Sequence, residues 1–97
     1  MSTDDRQAAQ DRLKGLLALL TAAQQPQLTR LIEETEALSR AIAAFHLEGI
    51  RFRIYNVDRI VSHPPVPLPV EASAIVADVR RHLEAAGFHT RSHQAPT

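Results

Sequence analysis

Apolar residues recur at intervals of three and four along the first half of the chain, and this spacing limits what it can fold into more than any other feature. Ala9, Leu13, Leu16, Leu20 and Ala23 make one stripe; Leu28, Leu31, Thr35, Leu38, Ile42 and Phe45 make a second, heptad-like one. Both match the period of an α-helix with one buried face. Ser2 and Thr3 ahead of Asp4 and Asp5 supply a helix start, hydroxyl caps followed by acids in the first turn. Between the stripes, Pro26 has no N–H for the Ala22 carbonyl and pushes Gln25 out of the helical region, yet suits the first position of a new helix. So short a break favours an antiparallel helical hairpin over residues 3–47, with its second helix from about Pro26 to Leu47. The competing form is one long helix kinked at Pro26. On the outer side, Arg30 with Glu34 and Glu36 with Arg40 are spaced for ion pairs one helical turn apart.

The second half reads differently. Gly49 followed by Ile50 resembles a glycine helix stop with its apolar follower. Ile50, Phe52 and Ile54 then alternate with Arg51, Arg53 and Tyr55, which predicts a strand. Asn56–Asp58 reads as a turn and residues 59–62 as a candidate second strand. Pro64, Pro65, Pro67 and Pro69 make a stiff spacer, with docking to an aromatic-lined groove the weaker alternative. Ala72, Ile75, Val76, Val79, Leu83 and Ala86 form the seam of a helix from about Val70 to Ala86, flanked by Asp78 with Arg81 and Arg80 with Glu84. Gly87 and Phe88 repeat the glycine stop, and residues 88–93 have the length of a closing strand, with 94–97 frayed. The expected fold is therefore α+β. It is a single small domain in which the N-terminal antiparallel helical hairpin precedes a β-α-β unit over residues 49–93, with two or three strands and one right-handed crossover helix.

Composition narrows the function classes. At 97 residues the chain has room for one domain, not two lobes around a deep cleft. Eleven basic against eleven acidic residues argue against a general polyanion binder, although residues 1–48 carry net −2 and residues 49–97 net +2. Without cysteine there are no disulfides and no thiolate metal sites. Three glycines, Gly15, Gly49 and Gly87, form no phosphate-cradling loop, and no serine sits in a glycine-rich elbow. No catalytic constellation or cofactor motif emerges, so the expectation is a non-enzyme with no cofactor. The apolar run Leu16–Ala23 faintly resembles a leader. It is short and preceded by Asp4, Asp5 and Asp11, so the expected location is cytoplasmic, with no membrane partner.

Three surfaces remain as candidates. Leu17 and Leu19 widen the first stripe beyond the needs of a lone hairpin. Leu13, Leu16, Leu17, Leu19 and Leu20 are thus the expected interface for self-association, a homodimer, or for a protein partner. If Phe88 faces the core, the two strands share a basic face of Arg51, Arg53, Tyr55, His89, Arg91 and His93. That face suits an anionic ligand or, less strongly, a single-stranded nucleic acid. Finally, His82, His89 and His93 are candidate metal ligands, a weaker reading because no carboxylate lies near the last two. His46 and His82 are also expected near helix C-termini, where an imidazolium complements the helix dipole.

Overall fold

The structure, a computed structural model, describes residues 4–88. Four α-helices fill it: α1 (Asp5–Ala23), α2 (Thr29–Ala43), α3 (Leu47–Ser62) and α4 (Ala72–Ala85), with a 3-10 turn at Pro26–Leu28 leading into α2. No strand occurs among the described residues. The expected α+β class and its β-α-β unit are therefore overturned. The predicted strand over residues 50–55 and the candidate strand over 59–62 both lie inside α3, and residues 89–93 lie outside the described residues.

Most of the helix boundaries have a local cause. The Asp4 carboxylate accepts a hydrogen bond from the Gln7 N–H at 3.2 Å and caps α1, with Asp5 in the first turn. α1 stops where Gln24 turns left-handed, φ 53°. Pro26 opens the 3-10 turn, and the Thr29 hydroxyl donates to its carbonyl at 2.8 Å. α2 does not run to Gly49. It ends at Phe45, whose φ is 60°, with the Phe45 N–H on the Ile42 carbonyl and the His46 N–H on the Ala41 carbonyl. That pair of bonds is a Schellman motif, here closed by an aromatic residue instead of glycine. His46 then begins α3 rather than ending a helix. Its Nδ1 accepts the Gly49 N–H at 3.0 Å, so Gly49 lies in the first turn. His63, at φ −135° and ψ 67° ahead of Pro64, closes α3. α4 ends as the sequence predicts, with Gly87 at φ 102° and the Gly87 and Phe88 N–H groups on the Glu84 and Leu83 carbonyls.

The helices close into a ring. Arg6 reaches the Ile42 carbonyl and Gln10 the Ser39 carbonyl, which sets α1 antiparallel to α2. Asp5 meets His82 and Arg12 meets Asp78, which sets α1 antiparallel to α4 as well. Glu34 joins Arg53 and Asn56 between α2 and α3, and Asp58 joins Arg80 between α3 and α4. The apolar faces meet inside. α1 contributes Ala9, Leu13, Leu16 and Leu20; α2 contributes Leu31, Thr35, Leu38 and Ile42; α3 contributes Ile50, Ile54, Val57 and Val61; α4 contributes Ile75, Val76, Val79 and Leu83. Buried Thr35 returns its hydroxyl to the Leu31 carbonyl at 2.7 Å, so it leaves no unmatched polar atom. The proline segment between α3 and α4 lays Val66 and Leu68 against this core.

Candidate functional site

Of the five leucines read as an interface, Leu13, Leu16 and Leu20 have 0% of their surface exposed. The chain's own core takes them up, packed beneath α2 and α4. Leu17 and Leu19 are half-buried, and Leu19 rests against the core. The apolar surface that α1 leaves for a partner is therefore small.

The basic strand face does not form, because residues 50–55 are helical. Positions two apart on a helix point to nearly opposite sides, so Arg53 points away from Arg51 and Tyr55, which lie one turn apart, and the three do not form one basic face. Arg51 donates to Glu48 at 2.9 Å, and Arg53 donates to both oxygens of Glu34 at 3.0 and 3.1 Å. Half-buried Tyr55 lies under the Arg59 guanidinium, 5.9 Å from its ring centre. His89, Arg91 and His93 lie outside the described residues. Of the three histidines read as metal ligands, only His82 is described, and its Nδ1 is 2.9 Å from Asp5 Oδ1. Among the described residues no group of three or more His, Asp and Glu side chains is placed to hold a metal ion. Among the same residues no helix is long and apolar enough to cross a membrane.

The surface feature that stands out lies on the outer side of the α2–α3 pair. Phe52 is 49% exposed at the lip of a groove of about 550 Å³. Ala37, Ala41 and Gly49 line the groove, and Arg40, Glu48 and Arg53 stand around it. Exposed Leu47 opens α3 beside it. The small residues follow from how tightly the two helices approach. A Cβ on Gly49 would overlap the His46 ring and sit 3.3 Å from the Ala41 Cβ. Of the rim charges, Glu48 holds Arg51 and Arg53 holds Glu34, whereas Arg40 makes no ion pair with another described residue. Sequence reading by alternation placed Phe52 in the core. The signal that finds it is its position off the Ile50, Ile54, Val57, Val61 stripe: an aromatic on the polar side of an amphipathic helix.

Comparison with protein-family models, with curated proteins and with solved structures finds no match for this chain.

Proposed function

We propose that this is a non-catalytic, cytoplasmic interaction protein that pairs with a second copy of itself through the α2–α3 groove. The observation that carries the reading is that this patch holds both halves of a contact. Phe52 is a protruding aromatic, and the groove floored by Ala37, Ala41 and Gly49 is a hollow beside it. Arg40 and Glu48 stand on the rim with opposite charge. A two-fold axis across the patch sets each Phe52 into the other copy's hollow and each Glu48 opposite the other copy's Arg40. Self-complementarity of this kind is what a symmetric dimer requires. A desolvated aromatic anchor supplies most of the energy, with the rim charges setting orientation. This keeps the self-association expected of the chain but moves it from the α1 leucines to α3.

Sedimentation equilibrium over a range of concentrations tests this. The wild type should rise from 10.7 kDa towards twice that mass, and Phe52→Ser should stay at the lower value with unchanged helicity. Arg40→Glu and Glu48→Arg should each weaken the dimer, and combining them should restore it in part. A wild-type chain that stays monomeric throughout, or a Phe52→Ser variant that dimerises as well as the parent, sinks the reading.

A further inference from the structure

A second concavity, of about 310 Å³, lies at the other end of the same helix pair, lined by Arg30, Asn56, Arg59, Ile60 and His63. Its charge is one-sided, in a chain whose total charge is zero. Among the described residues no carboxylate lines it. The cause is traceable. Glu34, one helical turn from Arg30 and its natural partner, is instead held by Arg53 at 3.0 Å and by the Asn56 amide at 3.2 Å. The Arg30 side chain consequently makes no hydrogen bond or ion pair with any described residue. Arg59 is steadied over the Tyr55 ring, and its carbonyl takes the His63 N–H at 3.1 Å, which brings the imidazole to the same mouth. Two guanidinium groups and an imidazole thus line one opening, and none of the three side chains donates a hydrogen bond to another described residue.

Asn56 and Ile60 refine the ligand. One N–H of the Asn56 amide is committed to Glu34, and its carbonyl oxygen is an acceptor that suits a hydroxyl. Ile60 gives a carbon skeleton an apolar wall. We propose that this cleft binds a small phosphate monoester of a polyol, the phosphate on Arg30, Arg59 and His63 and a neighbouring hydroxyl on Asn56. Guanidinium pairs match the phosphate oxygens in geometry as well as charge. The cleft is distinct from the dimer patch, since Phe52 and Arg59 are seven residues apart on α3, roughly 10 Å along its axis. The two proposals stand or fall separately.

The test is titration of isotope-labelled protein with glycerol 3-phosphate, inorganic phosphate and glycerol at low salt, read by amide chemical shifts. Glycerol 3-phosphate should shift the amides around Arg30, Asn56 and His63, with a dissociation constant on the order of 1 mM that weakens as salt is added. Inorganic phosphate should bind at the same amides but more weakly, and glycerol should not bind. Arg30→Gln and Arg59→Gln should each weaken glycerol 3-phosphate about tenfold, and Lys14→Gln, on the far helix, should leave it unchanged. Asn56→Ala should erase the preference for glycerol 3-phosphate over inorganic phosphate. Shifts scattered over all arginines, or equal binding by Arg30→Gln, overturns the proposal. Arg30 has no side-chain partner among the described residues, so its substitution leaves the fold intact and a lost response reports the cleft.

Discussion

Two residues show how backbone conformation and packing trade against each other in this chain. Phe45 sits at φ 60°, a region that a bulky side chain enters at a cost of about 1–3 kcal/mol. What holds it there is its ring, 5.5 Å from the Phe88 ring and 4.6 Å from the Arg6 guanidinium. Together these contacts are worth about 1–2 kcal/mol. Phe45→Ala keeps the strained backbone and loses both contacts, so it should destabilise by about 1–2 kcal/mol. Phe45→Gly loses the same contacts but relieves the backbone, and should recover about 1 kcal/mol of that. Gly15 should show the opposite order. It lies inside α1 with ordinary helical geometry and nothing within 4 Å of an added Cβ. Gly15→Ala should therefore stabilise by about 1 kcal/mol. Urea unfolding of the three variants reads both signs, and a Phe45→Gly less stable than Phe45→Ala would contradict the account of the turn.

Legibility at the level of elements depended on window length. Three apolar stripes were long enough to be read directly, and α1, α2 and α4 bury the residues their spacing picked out, apart from exposed Phe45 and Ala86 and half-buried Ala23. α3 was missed because six residues, Ile50–Tyr55, alternate perfectly. Across twelve residues the same stretch gives Ile50, Ile54, Val57 and Val61, spaced four, three and four. Only the longer window separates a helix from a strand. Gly49 compounded the error: it was read as a stop because it follows an apolar stripe, whereas a phenylalanine makes the turn and no residue preference announces that. The phrase His-Leu-Glu shows how little a local motif fixes, since His46-Leu47-Glu48 opens α3 and His82-Leu83-Glu84 closes α4. Of the candidate sites, Phe52 and Arg59 were visible as residue types but not as neighbours of α2, because that pairing follows from α3 being helical. Asp78 was legible in one of its two roles. Its pairing with Arg81 along α4 was expected, and its bond to Arg12 across to α1 was not. The Arg81 guanidinium first, and Arg12 after it, hold the Asp78 carboxyl below its ordinary 3.8. The folded chain then binds fewer protons here than the unfolded one, so the stability Asp78 contributes is present above that value and is lost as pH falls through the lower folded one. Asp78→Asn should be less stable than the parent at neutral pH and should lose less on acidification below about pH 4. Parallel acid-melting slopes for the two proteins would remove Asp78 from the α1–α4 seam.

For the whole molecule, the decisive fact is that α1 lies between α2 and α4, so the last helix of the chain covers what the first one exposes. The sequence alone suggests more leucine than one short chain can bury, because it provides a hairpin and a thin sheet to cover it. A ring of four helices has the capacity. Domains of this size are stable by about 5–10 kcal/mol in total, so a single fully buried leucine is a large share of the sum. Leu16 and Leu17 are adjacent in the sequence, and they separate a core role for α1 from an interface role. Leu16 has 0% exposure and Leu17 is half-buried. Leu16→Ala should cost about 2–5 kcal/mol, enough to leave the domain barely folded, and the loss should be the same at every protein concentration. Leu17→Ala should cost about 1 kcal/mol or less and leave the sedimentation behaviour of the parent in place. If α1 were instead the surface between copies, Leu17→Ala would lower the apparent stability more at high concentration than at low, because association adds to the free energy of unfolding by mass action. Thermal melts of both variants across a hundredfold range of concentration distinguish the two arrangements, and a concentration-dependent loss in Leu17→Ala would return the interface to α1.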